Sequence, residues 1–230
     1  MCGRFALFAT AEELACHFQV PLPFPIAPRY NIAPTQPLLA LATAHDTPQP
    51  YWTHFQWGLV PRWAQDPSIG NKMINARAES LAEKPAFRAA FRYRRCIVPI
   101  SGFYEWAKTG RTRQPYFVRS ATGEPLGVAG LWESWQSPDG SELTTCTLIT
   151  TDANTTMQPI HHRMPAILLP EEYGTWLAPE TPLKTLSALL RPAPDSLLEA
   201  YPVSTRVNSP AHDDPSLIEP VAPLRGLFEE

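Results

Sequence analysis

Long hydrophobic runs are absent from this 230-residue sequence. The longest apolar stretches, such as residues 96–100 and 165–170, are far shorter than the roughly 20 residues of a membrane-spanning helix. The first residues, MCGRF, also lack the basic and apolar regions of a secretory signal. The sequence therefore predicts a soluble, cytoplasmic protein that does not contact a membrane.

Metal-binding and disulfide patterns are missing as well. The four cysteines form no CxxC pair and no HExxH motif occurs, so we expect no metal site. A disulfide framework does not suit a cytosolic chain of this size. Cys16 falls in a helical pattern and Cys146 in a strand pattern, where a buried small apolar residue is the usual interpretation.

Proline, by contrast, is in excess, with 27 of 230 positions, and so many fixed φ angles exclude a chain made mainly of long helices. The prolines are dispersed among apolar runs without a repeat or a flexible linker, which favours one compact domain over residues 1–230. The sequence predicts an α+β fold with a mixed β-sheet or barrel core and short peripheral helices. Strands are expected at residues 96–100, 103–107, 115–119, 127–135, 143–151 and 164–169.

Local signals place the helices and one hairpin. Thr10 and Glu13 form a capping box that predicts a helix over Ala11–Phe18. Pro85 is suited to the first turn of a second helix. The outer face of that helix is expected to show Arg88, Arg92 and Arg95. Asp139-Gly140 predicts a hairpin turn. Further expectations are an irregular segment at residues 21–37 and helices near residues 170–177 and 182–190.

The net charge of the chain is −3, but the charged residues are distributed unevenly along the sequence. Residues 1–120 carry 14 basic and 7 acidic residues, a net of +7, whereas residues 121–230 carry 5 and 15, a net of −10. Fifteen of the 19 basic residues are arginine, whose planar guanidinium suits phosphate oxygens. Uneven surface charge alone explains this pattern, but so does a basic face for a polyanion beside an acidic flank that limits indiscriminate binding.

Cys2 is chemically unusual only because of its position. If Met1 is removed, Cys2 carries an α-amine and a thiol on adjacent carbons. An α-amine titrates at about 7.7–8.0 and a lysine amine at about 10.4, so near neutral pH the α-amine is far more often unprotonated and able to attack an aldehyde. The thiol can then close a five-membered ring on the resulting imine. A cysteine at this position by chance is the alternative.

Three further segments offer polar groups for a site. Asn75 and Arg77 follow the strand-like residues 73–74 and place a hydrogen-bonding amide beside a guanidinium. A solvated helix start is the alternative interpretation of that segment. In a strand, Glu105 shares one face with Phe103 while its two neighbours, both aromatic, share the other. Such surroundings desolvate a carboxyl group and raise its pKa, as suits a general acid, although a buried structural glutamate paired to an arginine is an alternative.

The third segment contains adjacent histidines, His161 and His162, at the entry of an expected strand. Because adjacent strand residues point in opposite directions, only one of the two imidazoles is expected to face a site. For the same reason the pair is not expected to chelate one metal ion.

Taken together, these segments resemble the SOS response-associated peptidase (SRAP) family. The motifs occur in the family's order and cover nearly the whole chain, up to about residue 220. They are MCGR at residues 1–4, YNIAP at 30–34, WGLVP at 57–61, NARAE at 75–79, GFYEW at 102–106, HxRMP at 161–165 and VSTRVN at 203–208. His162 and Ser80 stand where other residues are common in the family.

The resemblance implies a sensor of abasic sites in single-stranded DNA that forms a covalent DNA–protein crosslink, acting as a monomer without a cofactor. Cys2 falls on the family's nucleophile, which forms a thiazolidine with the ring-opened sugar. The other active-site positions correspond to Asn75, Glu105 and His161. The positions that contact DNA around the lesion correspond to Arg4, Arg77, Trp106 and Arg163.

Two other function classes remain open from the sequence. An N-terminal cysteine whose own amine acts as base, with glutamate and histidine nearby, is also the layout of N-terminal-nucleophile amidases and peptidases. Such an enzyme would act mainly on its own N-terminus, and abasic-site lyase activity is a further expectation. A nucleic-acid-binding module without a covalent step is the third class. The net charge of +7 over residues 1–120 favours nucleic acid over peptide.

Overall fold

A computed structural model describes residues 3–44 and 47–224 of the chain. The strands are β1 (Phe5–Leu7), β2 (Arg29–Ile32), β3 (Pro37–Ala44), β4 (Thr47–Trp57), β5 (Asn75–Arg77), β6 (Arg95–Ile100), β7 (Gly102–Thr109), β8 (Thr112–Ser120), β9 (Leu126–Gln136), β10 (Glu142–Asp152), β11 (Arg163–Pro165), β12 (Ile167–Leu168) and β13 (Leu198–Pro202). The α-helices are α1 (Ala11–Phe18), α2 (Arg88–Tyr93), α3 (Tyr173–Leu177) and α4 (Leu183–Leu189). Short 3-10 segments lie at Pro67–Lys72, Ala78–Ser80, Pro170–Glu172, Asp195–Leu197, Thr205–Asn208 and Pro215–Ile218.

The strands form two sheets, of which one closes on itself. Strands β3, β4, β10, β9 and β6 pair in that order, and β6 pairs with β3 again, so these five strands form a closed barrel. The β4–β10 pairing is parallel, and the other barrel pairings are antiparallel. Strand β5 runs parallel to β10, and β11 and β12 extend the barrel sheet. The mixed-sheet α+β architecture expected from the sequence is thereby confirmed.

The second sheet holds the N-terminal strand. Its order is β13, β8, β7, β1, β2, and all of its pairings are antiparallel. The face of this sheet that points away from the barrel packs on the C-terminal 3-10 segments through a small apolar cluster. Its buried members are Ala6, Tyr104, Phe117, Val203, Val207 and Leu217. The C-terminal region is therefore fixed beside the start of the chain and beside β7.

Large apolar side chains on both faces of the barrel strands are almost fully buried, with Trp57 on one face and Leu41 and Ile97 on the other. Gly130 of β9 faces Cys96 of β6, and a Cβ at this position would lie 2.9 Å from the Cys96 Sγ. Because larger side chains do not fit there, glycine allows the two strands to pair closely.

Most local predictions are confirmed. Helix α1 has the predicted bounds, and the Glu13 N–H donates to Thr10 Oγ1 at 3.1 Å while the Thr10 N–H donates to Glu13 Oε2 at 2.7 Å. The turn at Asp139-Gly140 joins β9 and β10, with Gly140 at φ +88°. None of the helices in the described ranges 3–44 and 47–224 is long and apolar enough to cross a membrane.

Three local expectations were wrong. Arg95 does not lie on the outer face of α2 but is buried in β6, where it donates to the carbonyls of Trp176 and Ala178 among others. Cys16 is exposed instead of buried, because it lies on the solvent side of α1 opposite Leu14. The segment at residues 21–37 contains β2, which pairs with β1.

Candidate functional site

Glu105 lies in β7, directly beside the N-terminal strand. Phe5 pairs with Phe103, and the Tyr104 N–H donates to the Arg4 carbonyl at 2.9 Å. Since the two strands are antiparallel, this register continues with Gly3 at the level of Glu105. Cys2, the predicted nucleophile, lies outside the described residues. The chain therefore enters the sheet next to the predicted general acid.

The carboxyl group of Glu105 is desolvated, as the sequence predicts. Only 3% of the residue is exposed, and burial raises its pKa from the ordinary value. Phe103 and Tyr104 are fully buried beside it, and Trp106 is half-buried. A carboxyl group with a raised pKa retains its proton closer to neutral pH, which is the property that a general acid needs.

Both adjacent histidines line the cleft that contains Glu105. This cleft has a volume of about 440 Å³, and its wall includes Glu105, Trp106, His161 and His162. The two imidazole rings stack, with centroids 4.4 Å apart and an interplanar angle of 24°. The expectation that only one histidine faces the site was wrong, because β11 begins at Arg163 and strand alternation does not apply to the residues before it.

The His161 ring is held by the backbone of Arg163. The Arg163 N–H donates to His161 Nδ1 at 3.0 Å, and the Arg163 carbonyl oxygen lies 3.3 Å from the same nitrogen. The ring can thus accept from the N–H when Nδ1 is unprotonated, or donate to the carbonyl when Nδ1 carries a proton. Burial lowers the pKa of His161, and the neighbouring His162 lowers it further. The lowered pKa keeps the imidazole in its neutral form at pH 7, and in that form the ring can accept a proton.

Arg163 itself is buried behind His161 in a network with two carboxylates. Its Nη1 donates to Glu79 Oε1 at 2.8 Å and to Asp152 Oδ1 at 2.7 Å, and its Nη2 donates to Glu79 Oε2 at 3.0 Å and to the Thr150 carbonyl at 2.7 Å. The hydrogen bond from Arg163 lowers the pKa of Glu79. The guanidinium thus fixes the strand that follows His161, and its predicted contact with DNA phosphate stays a prediction.

Arg4 and Trp106 meet at Asn208. Arg4 Nη2 donates to the Asn208 carbonyl at 3.2 Å, and Trp106 Nε1 donates to Asn208 Oδ1 at 2.8 Å. Arg4 Nη1 also donates to Asn31 Oδ1 at 2.9 Å and to the Val207 carbonyl at 2.7 Å. The motifs around Asn31 and Asn208 therefore position the side chains of two predicted DNA-contact residues.

Asn75 and Arg77 lie on the neighbouring strand β5, outside the wall of the 440 Å³ cleft. They pair with Leu148 and Thr150 of β10, so a short strand occupies these positions, and the 3-10 segment Ala78–Ser80 begins directly after it. Asn75 is half-buried, whereas Arg77 is exposed. Arg77 is two residues from Glu79, which binds Arg163, and so this segment is coupled to the strand after His161.

Sequence reasoning missed two cations of the cleft. Lys108 and Arg113, which pair across the β7–β8 hairpin, both line the cleft wall and are exposed. The signal was present, because residues 107–114 contain three basic residues and no acidic residue. Within residues 3–44 and 47–224, the structure contains no cluster of three or more histidine, cysteine or carboxylate residues suited to a metal ion.

Comparisons with known proteins give consistent matches. The family described as "SOS response associated peptidase (SRAP)" matches residues 1–210. The chain is 42% identical over 224 residues to "Abasic site processing protein YoqW" of Bacillus subtilis (strain 168), covering 95% of this chain and 99% of the relative. It is 31% identical over 229 residues to "Abasic site processing protein YedK" of Escherichia coli (strain K12), covering 96% of this chain and 100% of the relative. A crystal structure of a protein from Bacteroides thetaiotaomicron superimposes with a TM-score of 0.86 at 28% identity, covering 96% of this chain and 100% of that protein.

Proposed function

Because the chain belongs to the SOS response associated peptidase (SRAP) family, we propose that it captures abasic sites in single-stranded DNA as a covalent crosslink through Cys2. The observation that carries this proposal is the antiparallel register of β1 and β7, which brings the start of the described chain to the level of Glu105 in the cleft with His161. The names of the relatives, abasic site processing proteins, support the choice of lesion.

Single-stranded DNA is the favoured form of the substrate. The cleft has a volume of about 440 Å³, and its walls carry aromatic and cationic side chains instead of an extended apolar surface. Such walls are typical of grooves that follow a flexible phosphate backbone and stack bases on aromatic rings. One chain supplies every group in this scheme, so the protein is proposed to act as a monomer.

The first chemical step opens the sugar. An abasic sugar is mainly a closed hemiacetal. Glu105 in its protonated form donates its proton to the ring oxygen, the bond between C1′ and that oxygen breaks, and a solvent water takes the proton of the C1′ hydroxyl. The raised pKa of Glu105 increases the population of that protonated form. The product is an aldehyde at C1′, which remains beside the buried carboxylate.

The crosslink then forms with the loss of one water. The Cys2 amine attacks C1′, His161 transfers protons between nitrogen and oxygen, and water leaves as the imine forms. The thiolate adds to the imine carbon and the ring nitrogen takes up a proton, which gives a thiazolidine. Asn75 is proposed to orient the sugar or the adduct, and Arg4, Arg77, Trp106 and Arg163 to hold the flanking DNA.

Two side activities follow from the same groups. The imine permits β-elimination at the sugar, which is lyase chemistry, until the thiol closes the ring. Cys2, Glu105 and His161 are also the groups that an N-terminal-nucleophile hydrolase uses, so release of Met1 by the protein itself is the peptidase activity proposed here.

A denaturing gel tests the proposal. Wild-type protein is mixed with single-stranded DNA that carries one abasic site, and a slow band that survives denaturation without reductant is expected. Cys2→Ala keeps the amine and lacks the thiol, so its adduct should persist only after borohydride treatment. An equally durable adduct of Cys2→Ala without borohydride would reject the thiazolidine, and no wild-type band would reject the covalent function.

A further inference from the structure

We infer that the β7–β8 hairpin is a phosphate-binding arm, in which Lys108 and Arg113 hold the DNA backbone on one side of the lesion. This inference rests on the proposed function, and it adds a binding surface to the residues that the family motifs identify. Residues 107–114 of the hairpin carry three cations and no carboxylate.

The cations of the hairpin are available to a ligand, whereas two of the motif arginines are bound to the protein. Arg163 uses both Nη atoms on Glu79, Asp152 and Thr150. Arg4 uses both on Asn31, Val207 and Asn208. Lys108 and Arg113, in contrast, are exposed and form no ion pair within the described ranges 3–44 and 47–224. A phosphate can bind them without displacing a protein acceptor.

Strand geometry aligns these cations with the aromatic residue of the cleft. Residues two apart on a strand share a face, so Trp106 and Lys108 point to the same side of β7. Lys108 pairs directly with Arg113 of β8, which places Arg113 on that side as well. Two residues of strand span about 6.6 Å, so the ring and the pair of cations follow one another along a single face. All three residues line the cleft with Glu105 and His161.

The base of the arm is held by hydrogen bonds. Trp106 Nε1 is held by Asn208 Oδ1 at 2.8 Å, and the neighbouring Gln114 is buried and donates from Nε2 to the carbonyls of Pro115 and Val203 at 2.9 and 3.0 Å. Lys108 and Arg113 therefore extend from strand positions next to residues that are hydrogen-bonded to the C-terminal region.

The ligand class is the sugar–phosphate backbone of single-stranded nucleic acid, recognised without regard to base. The carboxylate residue that lines the cleft, Glu105, is buried, whereas Lys108 and Arg113 are exposed, so an approaching strand meets the positive charge first. Each phosphate neutralised on a single strand contributes about −0.7 to the slope of log K against log salt. Two contacts from the arm predict a contribution of about −1.4.

Salt titration of noncovalent binding tests the arm. Fluorescence anisotropy with an intact single-stranded oligonucleotide is compared between wild type, Lys108→Gln/Arg113→Gln and the control Arg88→Gln/Lys184→Gln. The control removes the same charge from exposed positions on α2 and α4 that do not line the cleft. We expect the arm variant to flatten the slope by about 1.4, so that its deficit in affinity shrinks about sevenfold between 50 and 200 mM salt. A slope equal to that of the control, with equal thermal stability, would overturn the inference.

Shortened oligonucleotides locate the arm relative to the lesion. Crosslinking of a centrally placed abasic site is measured as nucleotides are removed from the 5′ side or from the 3′ side. The difference between wild type and the arm variant should vanish on truncation of one side and persist on truncation of the other. A difference that is insensitive to both truncations would contradict a one-sided arm. Absence of any crosslink together with normal binding of intact DNA would reject the covalent function and leave the arm in place.

Discussion

Arg163 holds the His161 ring through its own backbone, with its N–H 3.0 Å and its carbonyl oxygen 3.3 Å from the same ring nitrogen. One residue therefore satisfies Nδ1 whether or not that atom carries a proton. The side chain of Arg163 is fixed in turn by Glu79 and Asp152. His161 can gain or lose a proton without losing its orientation, which is the requirement for a proton shuttle.

Replacing each histidine separates their roles. His161→Ala should slow crosslinking by about 10²-fold, the lower end for a general acid–base group, and leave binding of intact DNA near wild type. His162→Ala should slow it much less, because the Arg163 backbone holds only the His161 ring. Single-turnover crosslinking rates and anisotropy provide the two readouts, and the opposite ranking would assign the proton transfer to His162.

The titration of His161 is a direct electrostatic prediction. Its pKa should lie below the ordinary histidine value, because burial and the adjacent His162 both disfavour the imidazolium. The substitution His162→Ala removes the neighbouring imidazole, so the pKa of His161 should rise. NMR titration of the ring resonances measures both values, and an unchanged or lowered value in the variant would exclude the coupling.

Glu105→Gln removes the ionisable proton and preserves the shape of the side chain. Crosslinking should slow by about 10²-fold or more, while noncovalent binding of intact single strands stays near wild type. The two are measured as a single-turnover rate and as an anisotropy Kd. Equal losses in rate and in binding would make Glu105 a structural residue instead.

The same substitution should stabilise the fold at neutral pH. Burial raises the pKa of Glu105 in the folded protein above its pKa in the unfolded chain. The free energy of unfolding of the wild type is therefore highest below the unfolded-state pKa and declines as pH rises through the folded-state pKa. Glutamine does not ionise and avoids that decline. Thermal unfolding should show a Tm gain for Glu105→Gln at pH 7 that disappears near pH 4. A gain that is constant across this range would point to packing instead.

Arg163 and Arg77 should respond differently although both are arginines of the predicted DNA surface. Arg163 is 7% exposed within a carboxylate network, so Arg163→Ala should cost about 1–3 kcal/mol of stability, or about 2–4 °C in Tm for each kcal/mol. Arg77 is exposed, so Arg77→Ala should leave Tm within experimental error and flatten the salt slope by about 0.7. Arg163→Lys keeps the charge but cannot reproduce the paired contacts to Glu79, so its Tm should lie between those of Arg163→Ala and the wild type. Equal Tm values for Arg163→Ala and wild type would refute the structural role.

Local features of this fold were readable from the sequence. The capping box at Thr10 predicted the start of α1. The six expected strands match β6 to β10 and the β11–β12 pair, with boundary errors of up to three residues. The burial of Glu105 was predicted correctly because it follows from the aromatic neighbours of this residue in β7 itself.

Features that depend on distant pairing were not readable. Strand β2 lies in a proline-rich segment and exists because β1 supplies its partner. Burial of Arg95 depends on carbonyls of Trp176 and Ala178, which are about eighty residues away along the chain. The place of Lys108 and Arg113 in the cleft likewise required the position of His161, which no local pattern gives.

The position of the covalent bond is the most direct test of this account. Crosslinked protein is analysed by intact mass spectrometry and then by peptide mapping, without borohydride. The expected mass is that of the chain without Met1 plus the oligonucleotide minus one water, with the DNA remnant on Cys2. An adduct on an internal lysine such as Lys72, or full crosslinking by protein that retains Met1, would contradict it.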